Sequence, residues 1–127
     1  MTVTSGSETL LVVEDEPALR QLAKRLLESA GYTVIAAANG EDALAALAHH
    51  DEPVHLLLTD VVMPGMNGRN LAEQVSAGHP ETKVLYSSGY AGEAIVHHGV
   101  LAAGTHFLAK PYSVATLTRK VREVLDS

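Results

Sequence analysis

Five short, almost unbroken apolar runs alternate with segments of helical periodicity, and that alternation leaves this chain few folds to choose from. The runs are residues 10–13, 33–37, 54–60, 84–87 and 105–109. A strand that is apolar along its whole length needs cover on both faces, which helices packed on a parallel sheet provide. The pattern therefore predicts an α/β domain, a three-layer doubly wound sandwich around a five-stranded parallel sheet. The intervening segments fit helices. Pro17 suits a first helical turn, where its missing N–H has no partner to lose. Ala18, Leu19, Leu22, Leu26 and Leu27 recur as an apolar face, and Gly31 stands where a helix would stop. Residues 41–49 carry Ala43, Leu44 and Leu47 inward. Asn67 is placed to cap a helix with Leu71 and Val75 that ends near Gly78 and Pro80. Ser113 caps a last helix whose Val114, Leu117, Val121, Val124 and Leu125 face the core. Residues 91–103 have the weakest helical pattern, diluted by Gly99 and the adjacent His97 and His98.

Composition narrows the class. With 127 residues, 46% of them hydrophobic, the chain is long enough for one well-buried core. Residues 1–8, small and polar, read as a flexible tail or linker, and residues 9–127 as the domain. A net charge of −6 argues against direct nucleic-acid binding, which draws on clustered Lys and Arg. The absence of Cys removes disulfides, thiolate metal sites and thiol nucleophiles. No apolar stretch reaches spanning length and no signal-peptide pattern is present, so the expectation is a cytoplasmic protein without membrane insertion.

Three of the apolar runs end in charged residues. Residues 10–13 lead into Glu14-Asp15-Glu16, the run beginning at Val54 ends on Asp60, and residues 105–109 lead into Lys110-Pro111. In an open α/β sheet, ligands bind beyond the carboxyl ends of the strands. Two acids and a lysine at one rim suit a divalent cation and a phosphoryl group. Mg²⁺ prefers oxygen ligands and keeps several waters, so one or two carboxylates suffice.

These residues carry a resemblance. The chain resembles a response-regulator receiver domain, the phosphoacceptor module of two-component signalling, over essentially residues 9–125. The matched positions are Glu14-Asp15, Asp60 followed by Met63-Pro64-Gly65, Ser88, Phe107 and Lys110-Pro111. Residues 8–16, Ser88-Gly89-Tyr90, residues 95–101 and residues 107–112 are most similar to receivers fused to hybrid sensor histidine kinases. Those relatives commonly carry Asp-Pro where this chain has Ala102-Ala103.

The resemblance implies a flavodoxin-like strand order of 2-1-3-4-5. It also implies a signalling phosphoacceptor rather than an enzyme with an external substrate. Asp60 would take a phosphoryl group from a histidine kinase or phosphotransfer domain. Mg²⁺, or Mn²⁺ in its place, would be held by Asp15, Asp60 and the Val62 carbonyl, with Glu14 acting through water. Lys110 and Ser88 would contact phosphoryl oxygens, and Pro111 makes a cis Lys110–Pro111 bond accessible. Ser88 and Phe107 would form the switch. A downstream protein would read the face built from the fourth predicted helix (residues 91–103), the fifth strand and the helix begun by Ser113.

Each residue alone has a plainer reading. A strand-end acid is often only a helix cap or a solvated charge, Ser88 a turn residue with Ser87 as its rival, and Phe107 a core ring. Glu16 complements a helix dipole. The pairs His49-His50 and His97-His98 do not share a helix face and read as surface residues. Two rival functions remain for the whole pattern. A small Mg²⁺-dependent phosphatase with an aspartyl-phosphate intermediate would want a second Asp two residues after the nucleophile, where this chain has Val62. A phosphorylation-independent interaction domain would not need the acceptor groups that are all present.

Overall fold

The computed structural model describes residues 6–61, 65–88, 106–109 and 113–127, with only the backbone of Ser88 and Ala109. Val62, Lys110, Pro111, the predicted helix at 91–103 and residues 1–5 of the predicted tail lie outside this set.

The elements run β1 (Thr9–Val13), α1 (Pro17–Ser29), β2 (Thr33–Ala37), α2 (Gly40–Ala48), β3 (Leu56–Asp60), α3 (Gly68–Gly78), β4 (Lys83–Ser88), β5 (Phe107–Ala109) and α4 (Val114–Leu125). The five strands form one parallel sheet in the order β2-β1-β3-β4-β5. Every residue of β1 and β3 is buried, whereas β2 at the edge exposes Thr33 and Ala36. The unbroken apolar runs are thus the central strands, as two-sided burial requires.

Alternation along each strand divides the core in two. Leu11, Val13, Leu57 and Tyr86 pack with α2 and α3, joined by Ala43, Leu47, Leu71 and Val75. Leu10, Val12, Leu56, Leu58 and Leu85 pack on the other face with Ala23 and Leu27 of α1 and Leu117, Val121 and Val124 of α4. Each fully buried leucine contributes roughly 1.5–3 kcal/mol through area removed from water.

The helix ends follow local chemistry. Past α1, the Tyr32 N–H donates to the Leu27 carbonyl (3.2 Å) and the Gly31 N–H to Glu28 (3.0 Å), a Schellman pair made accessible by Gly31 at φ 102°. The side chain of Asn67 accepts from the Asn70 N–H at 2.8 Å. Ser113 and Thr116 cap each other reciprocally at the start of α4.

Two expectations are corrected. Leu22 is 41% exposed and Ala18 is exposed, because the row of α1 that meets the sheet is the i, i+4 pair Ala23 and Leu27. The third strand begins at Leu56 rather than Val54. The Val54 carbonyl is taken by the Thr82 hydroxyl (2.7 Å), and the Thr9 N–H donates to the ring Nδ1 of His55 (3.0 Å). Glu8 is tied to the elements beside it: its carbonyl accepts from the Thr33 N–H and its carboxylate from the Arg122 guanidinium.

Candidate functional site

The sheet register aligns the strand tips. Val13 pairs with Ala37 on one side and with Thr59 on the other, Asp60 pairs with Ser87, and Ser88 pairs with Ala109. The residues that follow each tip therefore emerge side by side on one rim of the sheet.

At that rim Glu14, Asp15 and Asp60 converge, each offering a carboxylate oxygen within 4.8 Å of the others. Glu14 is 4% exposed and Asp60 8% exposed, while Asp15 is open to solvent. Glu14 is fixed through its own backbone: its N–H donates to the Ala37 carbonyl (3.1 Å), and its carbonyl accepts from the Arg20 guanidinium (2.8 Å). One of its carboxylate oxygens accepts from the Glu16 N–H at 3.1 Å. The loop after β1 is thereby wound back on itself, which turns Glu14 inward and leaves Asp15 outward.

Asp60 is positioned by the end of β3. The buried Thr59 hydroxyl donates to the Asp60 carbonyl (3.0 Å), and the next residue, Val61, donates its N–H to Ser87 (3.0 Å). The Val61 carbonyl accepts from the Gly68 N–H at 2.9 Å, tying α3 to the strand tip. Gly65, which follows Met63-Pro64 in the sequence, has φ 76°, a conformation that costs glycine little.

Of the predicted site residues, the structure brings Glu14, Asp15 and Asp60 together. Ser88 follows Ser87, whose register partner is Asp60 itself; paired residues share a sheet face, so Ser87 lies on the same side as the acceptor candidate and is buried. Phe107 pairs with Tyr86 and packs, half-buried, against the core beneath α2 and α3. Burial raises the Tyr86 hydroxyl pKa, with Glu73 adding to the effect. Val62, Lys110 and Pro111 are outside the described residues.

Several residues of the rim gave no sequence signal as site residues. A cleft of about 350 Å³ opens beside the acids, lined by Asp15, Asn39, Gly40, Glu41, Gly65 and Met66. Asn39 caps α2 by accepting from the Asp42 N–H at 2.7 Å; the stretch Asn39-Gly40-Glu41-Asp42 has the capping residue and first-turn acids that could have revealed it. Arg20 and Thr59 act through backbone carbonyls, an arrangement that leaves no pattern in the sequence.

The donor set fits a hard divalent cation: all oxygen, two buried carboxylates and one exposed to water. Softer metals are poorly matched, since no thiolate or imidazole joins the cluster among the described residues.

Comparison with known proteins gives a consistent picture. The model of the family described as the response regulator receiver domain matches residues 10–122. The chain is 41% identical to the sensor kinase CckA of Brucella abortus over 125 residues, which is 98% of this chain and 13% of that kinase. It is 33% identical to the response regulator receiver protein CpdR of the same organism, covering 91% of this chain and 95% of that protein. Among solved structures, the receiver domain of the hybrid histidine kinase CckA superposes with a TM-score of 0.77 at 36% identity, covering 92% of this chain and 98% of that one. The chemotaxis protein CheY4 of Vibrio cholerae superposes with a TM-score of 0.82 at 27% identity, covering 94% and 99%.

Proposed function

Since this chain belongs to the response regulator receiver family of two-component systems, we propose that it is a phosphoacceptor in which Asp60 receives a phosphoryl group from a phosphohistidine. The convergence of Glu14, Asp15 and Asp60 at the tips of two adjacent central strands is the observation that carries this reading. Asp60 ends a strand buried along its length, so its backbone is fixed before any donor arrives.

An oxygen of the Asp60 carboxylate attacks phosphorus, a new P–O bond forms, and the P–N bond of the phosphohistidine breaks. The electron pair of that bond leaves with the imidazole, and an acyl phosphate remains on Asp60. Such a transfer needs alignment and charge neutralisation more than covalent chemistry. Asp15 and Asp60 would hold Mg²⁺ directly together with the Val62 carbonyl, and Glu14 through water. When bound, Mg²⁺ offsets negative charge at the carboxylates and at the incoming phosphoryl oxygens. Glu14 keeps one oxygen on the Glu16 N–H, so the loop after β1 presents its acids in a fixed order. The Lys110 ammonium and the Ser88 hydroxyl would contact the remaining phosphoryl oxygens, with Pro111 orienting the lysine.

The donor is a histidine kinase or a phosphotransfer domain, acting in the cytoplasm. Similarity to a short part of a sensor kinase supports this choice of partner. Among the described residues no helix is long and apolar enough to cross a membrane. The added phosphoryl carries about −1.5 to −2 charges. It would shift Ser88 and Phe107 between two packings, read by a downstream protein at the face of residues 91–103, β5 and α4.

Incubation with acetyl phosphate and Mg²⁺ followed by intact-mass measurement tests the reading. One phosphate adduct is expected, absent from Asp60→Asn and from an EDTA control. An adduct that persists in Asp60→Asn would place the acceptor elsewhere. No adduct from acetyl phosphate or from a phosphorylated histidine kinase would point to a phosphorylation-independent interaction domain.

A further inference from the structure

We propose that Gly68 is a positioning residue for the acceptor: having no side chain, it lets the first turn of α3 rest directly on the backbone of Asp60. The inference builds on the phosphoacceptor reading. A Cβ at residue 68 would lie 2.0 Å from the Asp60 carbonyl oxygen, 3.0 Å from its carbon and 3.2 Å from the Val61 Cα. All three are backbone atoms and cannot rotate aside. The Gly68 N–H simultaneously donates to the Val61 carbonyl at 2.9 Å.

Conformational freedom does not explain this glycine. Among the described residues, positive φ occurs only at Gly31 and Gly65, so position 68 has a backbone that any residue adopts. Alanine is the better helix former, and a helix start would favour it over glycine. What position 68 requires is closeness.

That closeness completes a three-sided clamp. β4 holds the chain through the Val61–Ser87 hydrogen bond, the Thr59 hydroxyl holds the Asp60 carbonyl, and α3 presses on the same carbonyl through Gly68. A methyl group must move either α3 or the Asp60 peptide by on the order of 1 Å. The Asp60 carboxylate shares that peptide, and its distance to Asp15 and Glu14 changes with it. Misplacement of this size can slow a transfer reaction by roughly 100-fold.

The test compares wild type, Gly68→Ala and Gly78→Ala, the last at the far end of the same helix where an added Cβ meets nothing within 4 Å. Adduct formation from acetyl phosphate, Mg²⁺ affinity by calorimetric titration and thermal unfolding are measured on each. Gly68→Ala is expected to remain folded, to form adduct roughly 10- to 100-fold more slowly and to bind Mg²⁺ more weakly, with Gly78→Ala unchanged in both. A Gly68→Ala protein that melts lower but keeps the wild-type rate and Mg²⁺ affinity overturns the proposal, leaving Gly68 a packing residue only. Should Gly68→Ala fail to fold, Asn67→Ala loosens the same turn without adding atoms at the contact; a slowed adduct supports the proposal and an unchanged one overturns it. If wild type forms no adduct, the phosphoacceptor reading fails by itself, and the Mg²⁺ titration alone decides the role of Gly68.

Discussion

The two ends of the sheet handle charge in opposite ways. At the carboxyl ends of β1 and β3, three acids of like sign share a space less than 5 Å across. Just before β1, at the other end, Glu8 meets Arg122 of α4 in a forked pair, with Nη1 3.0 Å from one carboxylate oxygen and Nη2 on the other. Asp126 accepts from the same guanidinium at 2.8 Å. Gly6 lies over this pair, where an added Cβ would fall 2.5 Å from the Tyr32 ring and 2.6 Å from Arg122 Nη1. One pole matches opposite charges and locks the first strand to the last helix. The other gathers like charges, a local conflict of the kind folds tolerate where a ligand is to resolve it.

Removing Arg122 should break the matched pole most severely. Arg122→Ala leaves Glu8 and Asp126 without the guanidinium, and hydrogen bonds to charged groups of this kind are worth about 2 kcal/mol. Urea unfolding should show a lower midpoint at unchanged slope, while Mg²⁺ affinity stays at the wild-type value because the two poles lie at opposite ends of the sheet. A parallel loss of Mg²⁺ affinity would show that they are coupled.

The like-charge pole should respond in the other direction. Without divalent cation, Asp60→Asn is expected to be more stable than wild type by about 1 kcal/mol, the scale of one repulsion at this distance in a partly solvated site. Mg²⁺ at ten times its dissociation constant should stabilise wild type by about 1.4 kcal/mol and Asp60→Asn by less. Thermal melts with and without MgCl₂ measure both. An Asp60→Asn protein less stable than wild type in EDTA would mean that Asp60 contributes more through its neighbours than it loses to Glu14 and Asp15.

The matched pole is also the part that sequence reasoning could not see. Strands and helices follow periodicity and capping signals that are local, so β2, the Asn67 cap and the Ser113 cap are readable from neighbouring residues. The acids of the rim were legible for a related reason: each sits at the end of an apolar run, and a parallel sheet brings such ends together. Glu8 and Arg122 are separated by 114 positions, and nothing local marks either for the other. The contact of Gly68 with Asp60 was hidden differently. The sequence Asn67-Gly68 reads as a helix cap, which says nothing of what the glycine rests on, whereas the structure uses the missing side chain for distance. Leu22 shows the converse limit, since apolar spacing places a residue near a helix face without saying which row meets the sheet.

The smallest effect concerns pH, and it separates the poles most cleanly. The Arg122 hydrogen bonds hold the Glu8 carboxyl at about 2 against its ordinary 4.5. The unfolded chain therefore takes up a proton at Glu8 first as the solution is acidified. Stability from this pair is complete above about pH 4.5 and drains away as pH falls toward 2. Glu8 and Arg122 side chains are each 24% exposed, so solvent screening reduces the contribution to about 1 kcal/mol, the upper end for such pairs. Urea unfolding of wild type and Glu8→Gln at pH 6, 4 and 3 reads this directly, because carboxylates elsewhere are common to both proteins and cancel in the difference. The gap should be widest at pH 6 and narrow steadily toward pH 3. A gap that stays constant across the range would mean that Glu8 acts through its packing beside Tyr32 and Gly6, and that the matched pole is held by shape rather than by charge.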